Sequence, residues 1–241
     1  MEIISGLIIV FAAGFIQGLT SFGFALISVP LLLRLFPLNE TVPIIVVLCF
    51  LTNILVLYNC IKEVKIKKIW LLIISSLLFA PLGVYSLQTI NSEYLKIFCG
   101  IIIIIFSLFL ILKKSFPIKM EKLGYVIAGS ASGFLNGSLS LSGPPVVLFL
   151  SNQGINKEGF RANITFSALV LNLITIITYL INGLLTRAVF GKILYLIPAM
   201  VLGVFIGIKL CKKLDELLFK RITLVLLIIS GTWTIASAIM N

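Results

Sequence analysis

The 241-residue sequence contains no histidine, only eight acidic residues and four scattered cysteines. Without histidine, Ser-His-Asp triads, HExxH zinc sites and histidine proton relays are excluded. Cys49, Cys60, Cys99 and Cys211 form no CxxC pair, so neither a redox motif nor a zinc site is suggested, and all four read as small apolar residues. No GxxxxGKS/T run occurs, which removes the P-loop route to ATP hydrolysis. The acidic residues sit at the ends of apolar blocks, which removes the usual intramembrane carboxylate as a proton carrier. Such an inventory points away from an enzyme and implies no cofactor.

Charge of either sign is scarce. Charged residues make up 11% and hydrophobic residues 60% of the chain, with a mean hydropathy of +1.22, against about 25% and about 45–50% in soluble domains. A water-soluble core is thereby excluded, and the lipid bilayer becomes the expected partner. The runs Ile97 to Leu112 and Ile164 to Asn182 carry no charge, as expected where a central Lys, Arg or Asp costs roughly 2.5–3.5 kcal/mol. The net charge of +11 is not the basic face of a nucleic-acid-binding domain, because its lysines lie between apolar blocks. Lys62, Lys65, Lys67 and Lys68 form one cluster, Lys113, Lys114, Lys119 and Lys122 a second, and Lys209, Lys212, Lys213, Lys220 and Arg221 a third. Cytoplasmic loops beside an anionic leaflet have this pattern, and the plasma membrane is the expected location. Met1-Glu2-Ile3-Ile4 lacks the basic start of a cleaved signal peptide and is expected to open the first membrane element.

Eight apolar blocks follow: Ile3 to Phe36, Val42 to Ile61, Ile69 to Gln88, Tyr94 to Leu112, Leu123 to Leu150, Phe160 to Asn182, Ala188 to Leu210, and Ile222 to Met240. The first and fifth are long and interrupted by small polar residues. At an offset of 119, Gly14 aligns with Gly133, Phe15 with Phe134, Gln17 with Asn136, Gly18 with Gly137 and Ser21 with Ser140. The same offset pairs Asn53 with Asn172, and one further residue pairs Leu82-Gly83 with Leu202-Gly203. The chain therefore reads as two homologous halves, residues 1–112 and 123–241, joined by a basic cytoplasmic linker at 113–122.

The positive charges decide how the halves relate. If every block crosses once, the 19 basic residues divide ten to nine between the two sides. If the two broken blocks are hairpins that enter and return, fifteen share one side and only Arg34, Lys96, Arg187 and Lys192 face the other. The positive-inside bias favours hairpins. The expected fold is thus an all-α polytopic integral membrane protein with two inverted-topology halves. Each half holds a broken helical hairpin plus three transmembrane helices, and both termini lie outside.

Broken backbone inside a bilayer survives only where protein or a water-filled cavity satisfies its polar groups. A helix that restarts after a break offers free N–H groups and a positive dipole end, which suits an anion. Gly143-Pro144-Pro145 and the stretch Gly23 to Ala25 are the candidate restarts. Around them, Gln17, Thr20, Ser21 and Gly23 in one half and Asn136, Ser138, Ser140, Ser142 and Gly143 in the other supply amide, hydroxyl and backbone groups. Asn53 and Asn172, each deep in an apolar block, complete the candidate ring, and Arg161 could attract or coordinate an anion. The plainer readings are an interhelical hydrogen bond for the asparagines and an inside-flank charge for Arg161. Recurrence beside the breaks makes Gly14, Gly18, Gly133 and Gly137 part of the site pattern, although GxxxG also serves simple helix packing; Gly203 and Gly207 read as packing. Glu40 and Glu158 read as first-turn caps.

At these breaks the sequence resembles the sulfite exporter TauE/SafE family of bacterial membrane transporters. The resemblance is carried by Gly14-Phe-Ile-Gln-Gly-Leu-Thr-Ser-Phe-Gly-Phe-Ala-Leu-Ile-Ser-Val-Pro30, by Ser142-Gly-Pro-Pro145 and by Phe160-Arg161. Where many members have glycines, this chain has Ser21, Phe24 and Ala25, then Ser140, Ser142 and Pro144. The resemblance implies a transporter of sulfite or organosulfur anions. The expected function is secondary transport of a small sulfur-containing anion by alternating access. A non-transporting subunit of a larger membrane complex is the alternative, and self-association into a homo-oligomer is compatible with either.

Overall fold

The computed structural model describes residues 2–91, 93–95, 97–98, 101, 121–215 and 218–219. Among them the regular structure is helical throughout: α1 (Glu2–Thr20), α2 (Phe24–Leu32), α3 (Leu38–Leu57), α4 (Ile66–Thr89), α5 (Glu121–Leu139), α6 (Gly143–Ser151), α7 (Lys157–Ile181) and α8 (Arg187–Cys211), with a 3-10 turn at Ile61–Glu63. Five of these, α1, α3, α4, α7 and α8, are long and apolar enough to cross a membrane. The nine residues of α2 and of α6 rise only about 13 Å at about 1.5 Å per residue, well short of a core of about 30 Å. The protein is a polytopic, all-helical membrane protein.

The long first and fifth blocks each resolve into a helix, a break and a short returning helix. The other blocks begin earlier than hydropathy suggested: α3 at Leu38, α4 at Ile66 and α7 at Lys157. Hydropathy counts from the first apolar residue, whereas the polar cap and first turn belong to the helix. The Asn156 side chain accepts the Gly159 N–H at 3.0 Å, and that of Thr186 accepts the Val189 N–H at 3.3 Å. Glu40 and Glu158 sit in first turns, as expected. Most of the block Tyr94 to Leu112, residues 113–120 of the linker and the block Ile222 to Met240 lie outside the described residues.

Two helix pairs form the most extensive interfaces, α1 with α8 and α4 with α5. Both are made by glycines that admit the neighbouring backbone. A Cβ at Gly14 or Gly18 would strike the Met200 or Val204 carbonyl, and one at Gly133 or Gly137 the Ser76 or Ala80 carbonyl. All four glycines therefore serve packing, which corrects the expectation that they belong to the site pattern, and Gly203 and Gly207 pack as expected, against Phe11 and Phe15. The contacts advance in the same sense along both partners, so α1 runs parallel to α8 and α5 parallel to α4.

The packing also corrects the repeat register. Gly207 lies against the Phe15 carbonyl and Leu19 N–H as Gly83 lies against the Phe134 carbonyl and Ser138 N–H. Phe15 and Phe134 are repeat equivalents, so Gly83 corresponds in space to Gly207, one helical turn beyond the Gly203 that sequence alignment selects. Sequence likeness is ambiguous by a turn wherever glycines recur every four residues; backbone contact is not.

The ends of the bundle differ in charge. At one end the Lys65 N–H meets Asn163 Oδ1 at 2.9 Å, and Lys157 Nζ meets the Leu214 carbonyl at 2.8 Å. Lys62, Lys67, Lys68, Lys209, Lys212 and Lys213 belong to the same end, at the termini of α3, α4 and α8. At the other end Gln88 Nε2 reaches the Asn182 carbonyl at 3.3 Å, and Lys192 pairs with Glu40 while lying 4.3 Å above the Phe36 ring. Radially the protein is inverted relative to a soluble domain. Leu78, Leu82, Tyr85, Leu194, Tyr195 and Leu202 face outward, while Gln17, Asn53, Asn136, Arg161 and Asn172 are buried.

Replacing Gly137 by Val is expected to abolish recovery of monodisperse protein in size-exclusion chromatography, because the side chain meets the Ala80 carbonyl and the Val84 N–H. Gly191→Ala, with open space around its Cβ position, is expected to elute as wild type.

Candidate functional site

Both broken helices end in the same way. Ser21 (φ 71°) and Ser140 (φ 61°) adopt the left-handed conformation, and their N–H groups close the last turn onto the Gln17 and Asn136 carbonyls at 2.7 and 2.9 Å. This is a helix terminus that glycine usually fills, and a residue with a Cβ there costs about 1–2 kcal/mol. Two equivalent serines carry that strain at the two helix breaks. Gly23, at φ 106°, then starts α2.

Side-chain amides hold the breaks in place. Gln17 donates from Nε2 to Asn53 Oδ1 at 2.8 Å and accepts the Phe24 N–H on Oε1 at 3.1 Å, tying α1, α2 and α3 together. In the other half Asn136 donates from Nδ2 to Asn172 Oδ1 at 3.0 Å and to Thr175 Oγ1 at 2.9 Å. The amide pairs Gln17–Asn53 and Asn136–Asn172 are thus repeat equivalents in space as in sequence. Each leaves the Nδ2 of its α3 or α7 asparagine without a hydrogen bond among the described residues.

Between the breaks lies a small cavity of about 30 Å³. Asn53 and Asn172 line it, with Gln17, Ser21, Ser140 and Ser142 at the breaks. Phe22 in the first break faces Gly143 in the second, where a Cβ would lie 3.5 Å from the Phe22 Cβ. None of the described residues that line this space is acidic or basic. The lining offers amide and hydroxyl donors in an apolar setting, a combination suited to a small anion.

Of the twelve residues expected at the site, Gln17, Ser21, Gly23, Asn53, Ser140, Ser142, Gly143 and Asn172 line the cavity. The other four do not. Thr20 is turned back on its own break, donating to the Ile16 and Phe22 carbonyls. Ser138 donates to the Phe134 carbonyl at 2.8 Å within α5. Asn136 stands behind Asn172 as its positioning partner. Arg161 lies 4% exposed among helix ends, with Nη2 on the Gly18 carbonyl at 3.1 Å and Nη1 on Cys211 Sγ.

The two helix restarts are unequal. In α2 the first-turn amides of Ala25 and Leu26 precede any i−4 carbonyl within the helix; the Ala25 N–H is directed at the Cys49 sulfur, and the Leu26 N–H has no helical partner. In α6 the prolines at 144 and 145 occupy the same turn and possess no N–H. The expectation that Gly143-Pro144-Pro145 supplies an anion-binding N-terminus is corrected to this extent: the proline pair starts the helix well but removes its donors. Ser76, Ser132 and Ser167 also line the cavity and were not legible beforehand. Ser76 and Ser167 donate to carbonyls three residues back in their own helices, a habit shared by membrane-helix serines with no functional part.

Replacing Gln17 by Ala is expected to lower unfolding stability in mixed micelles by about 1–3 kcal/mol, because Asn53 and the Phe24 N–H both lose their partner. A loss below a few tenths of a kcal/mol would show that the amide does not hold the break.

Comparison with curated proteins and with solved structures returned no match. A family model for the sulfite exporter TauE/SafE family matches residues 6–234. With that match spanning nearly the whole chain, and with the helical membrane architecture and paired helix breaks described above, the protein belongs to the sulfite exporter TauE/SafE family of membrane transporters.

Proposed function

We propose that the protein is a secondary transporter that moves a small sulfur-containing anion across the plasma membrane, alternating access to the cavity between two inverted halves. The observation that carries this reading is the uncharged, donor-lined cavity formed jointly by the two helix breaks. Membership of the sulfite exporter family supports a sulfur oxyanion or sulfonate as its occupant.

In this reading Asn53 and Asn172 present their free Nδ2 groups to the anion from the two halves, and Ser21, Ser142 and the amide of Leu26 complete the donor set. Gln17 and Asn136 orient the two asparagines through their oxygens. Donors without formal charge suit transport, since an anion must be held well enough to enter and weakly enough to leave. The parallel pairs α1–α8 and α4–α5 each join an element of one half to an element of the other. They divide the bundle into two glycine-packed units that could rock about the cavity, as in other inverted-repeat transporters. The lysine-rich end of the bundle is assigned to the cytoplasm by the positive-inside bias.

Two measurements test this. In proteoliposomes a gradient of sulfite, sulfoacetate, thiosulfate or sulfate is expected to drive flux of at least one of them, with Asn53→Ala and Asn172→Ala each lowering the rate by about tenfold or more, about 1.4 kcal/mol per lost donor. No flux of any of the four would defeat the substrate assignment. Stable purification only within a large hetero-complex, with both alanine variants harmless, would favour the subunit reading. For orientation, a cysteine at Lys192 is expected to react with an impermeant thiol reagent applied to intact cells and one at Lys212 to be protected; the opposite pattern would invert the topology.

A further inference from the structure

Three buried side-chain polar atoms among the described residues have no hydrogen-bond partner: Ser21 Oγ, Arg161 Nε and Thr165 Oγ1. All three belong to one junction. Arg161 reaches the Gly18 carbonyl, one turn before Ser21 at the end of α1. Thr165 follows Arg161 by one turn on the same face of α7. Phe22, next to Ser21, packs edge-on against Phe160, next to Arg161, with ring centroids 6.5 Å apart. The residues are 1%, 4% and 0% exposed, so bulk water does not satisfy them, and leaving such groups unpaired is costly.

The junction also holds a buried charge that no described carboxylate contacts, Glu158 acting on it only from a distance. Arg161 forms no ion pair with any described carboxylate; the described ion pairs are Lys157–Glu158 and Lys192–Glu40. Glu158, the acidic residue nearest in sequence, is half exposed and turned to Lys157. Burial pushes the neighbouring Cys60 thiol up to about 11 although Arg161 opposes the rise, so that thiol is neutral near pH 7 and supplies no negative charge. A buried guanidinium whose donors are only partly used calls for an anion.

The repeat shows that the junction is particular to one half. At the offset of 119, Arg161 corresponds to Val42, Thr165 to Val46 and Ser21 to Ser140. In that twin Ser140 Oγ is satisfied, donating to the Val42 carbonyl at 2.9 Å, and no charge is present. Fold symmetry therefore does not require the arginine or the threonine.

We infer that Ser21, Arg161 and Thr165 form a second, charged binding station for a small oxyanion, at the lysine-rich end of the central cavity, to which Ser21 also belongs. The inference deepens the transport reading and rests on it for the station's place on a pathway; binding at the station is testable without transport. An anion arriving from the lysine-rich side meets a guanidinium N–H and two hydroxyls before it reaches the neutral cavity. The twin positions Val42 and Val46 offer no equivalent, which makes the binding path asymmetric.

The test uses the purified full-length protein in detergent, with sulfate as the probe and chloride at matched ionic strength as reference. Sulfate is expected to raise the unfolding temperature saturably. Thr165→Val, which installs the residue type of the twin position, is expected to weaken the apparent affinity by at least about tenfold. Arg161→Gln is expected to abolish the response. Thr52→Val, which removes a buried hydroxyl bonded within α3, is expected to leave it unchanged. Should Arg161→Gln fail to fold, the threonine variant still decides the matter. Wild-type affinity in Thr165→Val, or no saturable sulfate response in the wild type, overturns the station. Flux in proteoliposomes with unaltered binding by Thr165→Val would remove the station and keep the transporter. Binding that behaves as expected without flux of any sulfur anion would do the reverse.

Discussion

The structure depends on one constraint: a backbone N–H or C=O inside a bilayer must find a partner in the protein or in a water-filled space. An unbroken helix meets it almost without help: α7 does so over 25 residues, and α3, α4 and α8 lose only the helical partner of one carbonyl each, at Pro43, Pro81 and Pro198. The breaks at Ser21–Gly23 and Ser140–Ser142 do not, and most of the polar chemistry in the bundle gathers around them. Gln17 answers for Phe24, Ser132 donates to the Ser142 carbonyl at 2.9 Å, and Ser140 reaches across to Val42. What the protein leaves unanswered at the breaks opens on the cavity.

Close helix contact supplies the frame that makes such breaks tolerable. Glycines at 14, 18, 83, 133, 137, 203 and 207 bring backbones together in two parallel pairs, and the stabilisation there is packing, since lipid tails solvate apolar side chains as well as protein does. The outward faces are correspondingly apolar and the interior holds the amides. Rigid pairs and polar breaks are complementary: the first fix where the helix ends lie, the second give those ends something to bind.

Symmetry sets the architecture and departures from it set the chemistry. The strained serines and the amide pairs recur faithfully. The helix restarts do not, because proline at 144 and 145 removes donors that Ala25 and Leu26 retain. Nor does the start of α7 at the lysine-rich end, where Arg161 and Thr165 stand in place of two valines. A substrate crossing between the halves would meet different groups on the two sides of one cavity.

Membrane residence and both breaks were legible from the sequence, because each is a local property: hydropathy, or a cluster of small polar residues inside an apolar run. Glu40 and Glu158 at helix starts followed from the same kind of reasoning. Local pattern could not say which way a side chain turns. Thr20 and Ser138 have the composition of site residues and spend their hydroxyls on carbonyls of their own chain, whereas Ser76 and Ser167 look like ordinary helix serines and reach the cavity wall. Nor could it choose between Gly203 and Gly207 as the partner of Gly83, since the choice is made by a backbone atom on another helix. The sequence by itself determined that this chain lives in a membrane and that its helices break at two similar places. Only the tertiary structure decided which donors face the cavity and that Arg161 is buried against the end of α1, because both depend on contacts between residues far apart in the chain.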